Sequence, residues 1–524
     1  MSRSASQSQH IRKPAAISEK GLVASQNRIA SEIGASVLRR GGNAVDAAIA
    51  TSFALGVVEP WMSGIGGGGY MIVRRAGDAG AQVVDFGMRA PAGLRTEDYP
   101  VTDGKAGDLF PWPLVKDDAN AIGARSVAIP GQVAGMGAAH RAFGTLPWAE
   151  LVGPAVAEAE AGLVVDWYAQ LILSGAAKGL ARFPASRATY FDADGFPMAS
   201  AWTALDQTRC DQRALAASLA TIANKGADAF YEGPLSEQII RDLQAEGGRH
   251  SLEDFRQYRA RIVPAAEYGY KGHKVFGTPD MTAGPTLARV LHLLGEWQPV
   301  GPKPTAEDFA TFDRAIRQAN RERLEMMGDP ATEAAPSCTT HFNVVDEDGM
   351  MVSVTQTLLS IFGSRMILPE SGILMNNGIM WFDPEPGKPN SIGPGKRCLA
   401  NMCPTLLERS DGARFGLGAA GGRKIMPAVA QLTSFLLDYG MDADEAIHEP
   451  RIDVSLAEKT IADSAMPADL LARLQRLVPE ITFAPRTVYP YSFACPSLVG
   501  RSGKTNSGAT EVMAHWADTV TADT

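Results

Sequence analysis

An α+β layered fold is what this sequence predicts, on three observations. Strand-like and helix-like patterns come in segregated blocks, not in βαβ alternation. Two pairs of short apolar runs, the second pair rich in Val and Thr, each fold back across a turn, and long helical patterns fill the middle of the chain. With 524 residues, 45% of them hydrophobic and 20% charged, the chain can bury a large core. Length alone suggests about three domains. No Ser/Gly-rich or charged linker marks a boundary, so one large domain stays open as well.

In chain order, Ile29, Ile33, Val37 and Leu38 recur at helical spacing and Gly41-Gly42 stops that helix. A second helix is predicted from about Asn43 through NAVDAAIATSFALGVVEP, small-residue-rich and apolar nearly all round, as suits a helix packed inside the fold. GIGGGGY (Gly64 to Tyr70) leads into MIVRR and QVVDFG, a hairpin across Gly77-Asp78-Ala79-Gly80. Gly64, Gly66 and Gly69 match G-x-G-x-x-G, but a helix precedes and a strand follows, the reverse of a dinucleotide site; close backbone packing is the expected role. Residues 120–330 read as mainly helical, including LPWAELVGPAVAEAEAG and a helix capped by Thr305. GDPATEAAPSC (residues 328–338) reads as a mobile loop. HFNVVD and MVSVTQT follow as a second hairpin across Asp348-Gly349. Strands at PTLLER and ARFGLGAAG and a helix over Pro427 to Leu437 complete the series.

A net charge of −9 provides no positive field for phosphates, so nucleic acid and anionic membrane surfaces are not expected partners. The five cysteines (Cys210, Cys338, Cys398, Cys403, Cys495) form no C-x-x-C pair, and no two of the eight histidines fall within five residues of each other. A reducing compartment, no metal and no cofactor are expected. The first twenty residues hold no apolar stretch of secretory-signal type, and no run reaches the roughly eighteen residues of a membrane span, so a cytoplasmic location is expected. No G-x-S-x-G elbow is present.

Thr339 and Thr340 stand where the polar loop turns into a strand, a place that β-propensity alone explains. Their neighbourhood says more. The stretches GLVASQNRIASEIGASVLRRGGNAVDAAIATSFALGVVEP, SGIGGGGYMIV, IPGQVAGM, FGTLPWAELV, GADAFYEGPLSEQI, TTHFNVVDEDG, FGSRMILPESGILMNN, IGPGKR, MCPTLL, GAAGGRKI and DYGMDADEAIHEPRID resemble, in this order, the γ-glutamyltranspeptidase family from about residue 20 to residue 455.

That resemblance implies the four-layer αββα sandwich of N-terminal-nucleophile hydrolases and a precursor that cuts itself between Cys338 and Thr339. Residues 1–338 and 339–524 would then form an αβ heterodimer of one structural domain. It implies Thr339 as nucleophile, Thr357 as the second threonine supporting its hydroxyl, and Gly421-Gly422 as oxyanion hole. The chemistry explains the need for a cut: a hydroxyl is a weak nucleophile at neutral pH, and a free α-amine of pKa about 8 beside it is a base. Cys338 is a local rival nucleophile if the cut falls after Ser337, though the family register favours Thr339.

Substrate positions depart from the family. Gly87 stands in place of the arginine that holds the substrate α-carboxylate, with Arg89 two residues on as a substitute. Trp381 replaces the aspartate that pairs with the α-amine, Ala400-Asn401 replace paired serines, and Leu359 replaces an asparagine. WFDPEPGKPNSIGPGKR is too short for the long lid loop of some members. The lost amine-binding carboxylate, with Arg89, Lys396, Arg397, Arg423 and Lys424 retained as cations, points to a small amide whose acyl group bears a carboxylate and no amine. This is closer to oxamate amidohydrolase and the glutaryl-cephalosporin acylases. True γ-glutamyl hydrolysis or transfer on glutathione-like substrates, and an unprocessed homologue that only binds a ligand, stand as alternatives.

Overall fold

The computed structural model describes residues 12–105, 112–201, 203, 206–327, 338–456 and 459–523. Local chemistry sets the first elements. Helix Arg28–Arg39 starts where the Asn27 side chain accepts from the Ile29 N–H, and helix Ala44–Val58 starts on a reciprocal cap between Asn43 and Asp46. The second helix is buried along nearly its whole length, as its all-round apolar sequence predicts. Helix Ala306–Met327 begins at the expected cap, with Thr305 N–H donating to Asp308 and Asp308 N–H to the Thr305 hydroxyl.

Both predicted hairpins form. Gly68–Arg74 pairs antiparallel with Gln82–Phe86, and Cys338–Asp346 with Met351–Leu359. They join one seven-stranded antiparallel sheet in the order Asp518–Thr521, Gly21–Ser25, Cys338–Asp346, Met351–Leu359, Gly68–Arg74, Gln82–Phe86, Arg261–Pro264. A second seven-stranded antiparallel sheet runs Ala16–Ser18, Thr505–Thr510, Cys495–Ser502, Arg414–Ala420, Thr405–Glu408, His273–Gly277, Ala266–Tyr270. The strands at 261–277 interrupt the stretch that reads as helical in the sequence: Arg261–Pro264 forms an edge of the first sheet, and Ala266–Tyr270 with His273–Gly277 the last two strands at one side of the second.

Alternation along the strands sorts the apolar residues into layers. Val23, Met71, Val73 and Val344 face helices Arg28–Arg39, Ala44–Val58 and Gln132–Phe143, whereas their neighbours Leu22, Tyr70, Ile72 and Val345 fill the space between the sheets with Phe276, Leu406 and Val499. On the far side, Leu407, Phe415, Leu417 and Leu498 pack beneath helices Gly284–Leu293, Ala306–Met327 and Ile425–Leu437. Helix, sheet, sheet and helix thus form the four-layer αββα sandwich. No helix of the described residues is long and apolar enough to cross a membrane. The loop expected over residues 328–338 lies outside the described residues except for Cys338, which opens the strand Cys338–Asp346.

Candidate active site

The third and fourth strands of the first sheet carry the site. Their register is regular from Val345↔Met351 to Thr340↔Gln356, then slips so that Cys338 faces Leu359. Between these pairs Thr339 alone stands opposite two residues, Thr357 and Leu358, and a bulge of this kind re-aims the side chains beside it. Here the Thr339 hydroxyl donates to the Thr357 hydroxyl at 3.3 Å, and Thr357 Oγ1 also accepts from the Leu359 N–H at 2.8 Å. Leu359 holds φ +86, a left-handed conformation uncommon for a residue with a side chain. The bulged strand is clamped from its other side by glycines. A Cβ on Gly67 would lie 2.3 Å from the Thr357 carbonyl oxygen, and one on Gly69 2.3 Å from that of Thr355. Close backbone approach is therefore what GIGGGG serves.

Thr339, only 3% exposed, forms part of the wall of a chamber of about 310 Å³. Trp61, Met62, Ile172, Ile361, Tyr489 and Phe493 supply most of its apolar lining, and Gly421 and Lys424 also face it. Gly421 and Gly422 have φ of +129 and +58, values that favour glycine, and lead through a short turn into helix Ile425–Leu437. Backbone N–H groups of two glycines at the head of a helix suit a developing oxyanion, since no Cβ shields them and the helix end is positive. A larger cavity, of about 460 Å³, shares no lining residue with this chamber and involves Lys13, Asp166, Arg209 and His515.

A carboxyl lies next to the strand that carries Thr339. Glu59, just past the end of helix Ala44–Val58, accepts from the Thr340 hydroxyl at 3.0 Å, and burial pushes its acid up to about 8. His341 is not a base for Thr339. Its ring bonds Thr355 Oγ1 and Asn343, fills the room left by Gly418, where a Cβ would lie 2.3 Å from it, and burial pushes it down to about 3.

The structure brings Thr339, Thr357 and Gly421 together, with Gly422 next along the chain. It does not bring Arg89 to the chamber: Arg89 is exposed, in isolated bridges to Ile129 and Arg397. Nor is there space at Gly87, where a Cβ would lie 2.5 Å from the Tyr70 hydroxyl. Trp381 is buried in the apolar cluster that also holds Leu359 and Ala400, so three of the altered family positions have become core. Asn401 lines a separate polar notch with Arg423. Lys424 is neutralised by Asp453 at 2.7 Å, Arg397 pairs with Asp85, and Lys396 donates to the carbonyls of Pro389 and Ser391.

Sequence reasoning missed Glu59, the aromatic run Tyr489–Phe493 and Arg323. Glu59 reads as an ordinary helix end in VVEP, Arg323 as a polar position on a long helix, and YPYSF carries no periodicity. An acid set within an otherwise apolar stretch was the one signal available.

Known proteins agree with this architecture. The pattern of the family described as Gamma-glutamyltranspeptidase matches residues 30–338 and 332–511. The chain is 33% identical over 507 residues to the acylase ACY 1 proenzyme of Pseudomonas sp. (strain SE83), covering 89% of this chain and 88% of that one. To the glutathione hydrolase proenzyme of Bacillus subtilis (strain 168) it is 29% identical over 512 residues, covering 87% and 84%. The crystal structure of a cephalosporin acylase from Bacillus halodurans superposes with a TM-score of 0.83 at 23% identity over 99% of both chains, which shows the shared fold.

Proposed function

The chain belongs to the γ-glutamyltranspeptidase family, and from that premise we propose that it is a self-cleaving amidohydrolase that uses Thr339 as an N-terminal nucleophile. The observation that carries this reading is the Thr339–Thr357 hydroxyl pair, held by a bulge in the wall of the chamber that Gly421 also faces. Cleavage of the Cys338–Thr339 bond gives Thr339 a free α-amine. That amine takes the Oγ1 proton as the oxygen attacks the substrate carbonyl carbon. The carbonyl oxygen becomes an oxyanion, received by the N–H groups of Gly421 and Gly422. As the C–N bond breaks, the ammonium returns the proton to the leaving amine, and water releases the acyl group from Oγ1 by the same steps. The precursor thus becomes an αβ particle of residues 1–338 and 339–524.

For the substrate we favour an amide whose acyl group carries a carboxylate and no amine. The names of the relatives, an acylase and a glutathione hydrolase, place both activities in the family. Two features favour the former. Among the described residues no Asp or Glu lines the chamber, and Trp381, where an ammonium-binding aspartate is expected, is buried in core. Intact-mass spectrometry of the chain beside a Thr339→Ala variant tests the nucleophile: fragments meeting at Cys338 and Thr339, absent from the variant, are expected. An uncut wild type moves the ligand-binding reading to the front, and a cut before Cys338 transfers the role to that thiol. Turnover of γ-glutamyl-p-nitroanilide as fast as glutaryl-p-nitroanilide would restore the γ-glutamyl reading.

A further inference from the structure

The two residues just inside the bulge are fastened to one helix. Thr340 and Gln356 face each other in the last regular position before the register slips at Thr339, and both are fully buried. Gln356 accepts from the Ser52 hydroxyl at 2.6 Å, and its amide donates to the Ser52 carbonyl at 3.1 Å and the Ser63 hydroxyl at 3.0 Å. The Thr340 hydroxyl donates to Glu59 at 3.0 Å. Ser52 lies in helix Ala44–Val58, and Glu59 caps that helix, its N–H on the Leu55 carbonyl. The chain then turns, with the Met62 N–H on the Glu59 carbonyl, and reaches the other strand. There the Leu358 N–H donates to the Met62 carbonyl at 3.0 Å, and the Phe362 N–H to that of Trp61 at 3.0 Å. Residues 59–62 thus tie both sides of the bulge, Thr340 on one strand and Leu358 on the other, while Trp61 and Met62 line the chamber with Thr339.

Glu59 is only 4% exposed, and burial pushes its acid up to about 8. At neutral pH it is a protonated carboxyl whose oxygen accepts as an amide oxygen would. Removing that acceptor leaves the buried Thr340 hydroxyl unsatisfied and loosens the strand one residue from the bulge. We propose that Glu59 is a positioning residue for Thr339, holding Thr340 to the helix end so that the slipped register keeps the Thr339 hydroxyl in place for self-cleavage and for turnover. In self-cleavage the Thr339 oxygen attacks the Cys338 carbonyl carbon and the C–N bond breaks. The hydroxyl proton ends on the Thr339 nitrogen, and water then hydrolyses the ester to give the Cys338 carboxylate and restore the hydroxyl. The proposal rests on the amidohydrolase reading given above, and extends it to the group that sets the nucleophile's position.

Glu59→Met keeps the length of the side chain and removes the acceptor, whereas Glu59→Gln returns a neutral one. Cleavage of newly synthesised chain is followed by intact mass over time, and kcat and KM are measured on glutaryl-p-nitroanilide with the cleaved fraction. Glu59→Met is expected to slow cleavage at least about tenfold and to lower kcat by a similar factor with KM little changed. Glu59→Gln is expected to recover both rates to within about threefold of wild type. Thr340→Val removes the donor at the other end, and the double variant is expected to be no slower than the slower single one, because the two changes break one bond. A Glu59→Met chain that cuts and turns over like wild type overturns the inference. So does a Gln variant as slow as the Met one, or a double variant whose losses multiply. Should Glu59→Met not give a cooperative melt, Thr340→Val decides alone, and wild-type rates in it overturn the inference. An uncut wild type overturns the amidohydrolase reading itself, and this inference with it.

Discussion

Thr357 differs from Thr339 in what it must supply. It stands within a strand and bonds both the Thr339 hydroxyl and the Leu359 N–H, so in the proposed mechanism its oxygen positions the Thr339 hydroxyl and cannot replace it. Thr357→Val keeps the shape and removes the hydroxyl. The expected outcome is a fall in kcat of about 10²-fold with KM little changed, checked by steady-state kinetics on a p-nitroanilide. An unaltered kcat would reduce Thr357 to a packing role. Glu59 gives a pH signature. Its acid, moved by burial from 4.5 to about 8, keeps a proton in the folded chain that the unfolded chain has already lost. The native state therefore binds more protons across that window, and stability falls as pH rises from about 4.5 to about 8, with the full cost above it. Glu59→Gln removes the titration. Relative to wild type, the variant is expected to gain stability between pH 5 and pH 9, on the order of a few kcal/mol, in denaturant melts at both pH values. A difference independent of pH would show that the carboxyl ionises normally.

At the scale of elements, the sequence was most readable where a rule acts over a few residues. The caps at Asn43 and Thr305, the period-2 strands and the turn at Asp348-Gly349 are each set by neighbours along the chain. The bulge at Thr357 and the apolar chamber were not legible, because they depend on residues hundreds of positions apart. The Thr357 carbonyl is closely approached by Gly67, and the chamber joins Trp61 and Ile172 to Tyr489 and Phe493. Asn376 illustrates the same limit: its amide donates to the carbonyls of Gly66 and Ala128, which fastens the glycine segment from outside. The family resemblance drew attention to these motifs but not to what they hold. Gly67→Ala tests the clamp. A Cβ 2.3 Å from the Thr357 carbonyl must displace backbone, so a loss of about 1–3 kcal/mol and slower self-cleavage are expected. Gly80→Ala, in open space at the hairpin turn, is the control and should stay within about 0.5 kcal/mol. Equal behaviour of the two would mean that the close approach is not needed.

Across the whole molecule, the two segments on either side of the Cys338–Thr339 bond are woven into both sheets. In the first sheet, Gly21–Ser25 lies between Asp518–Thr521 and Cys338–Asp346, so a strand from before the bond is hydrogen-bonded on both edges by strands from after it. In the second, Ala16–Ser18 sits at one edge and His273–Gly277 with Ala266–Tyr270 at the other, flanking four strands that all follow the bond. The layer between the sheets is shared as well, with Leu22, Tyr70 and Phe276 packed among Val345, Leu406 and Val499. Neither segment holds either seven-stranded sheet complete, and separating them would expose unpaired strand edges together with three apolar layers. Cleavage is therefore expected to leave one particle. Size-exclusion chromatography in native buffer should give a single peak containing both fragments, and only denaturant should resolve them. Thermal unfolding of the cut protein should remain one cooperative transition, because the fragments share every layer of the core. Fragments that part in native buffer would mean that the sandwich rearranges once the bond is broken, and the Thr339–Thr357 geometry of the uncut chain would then be a poor guide to the mature site.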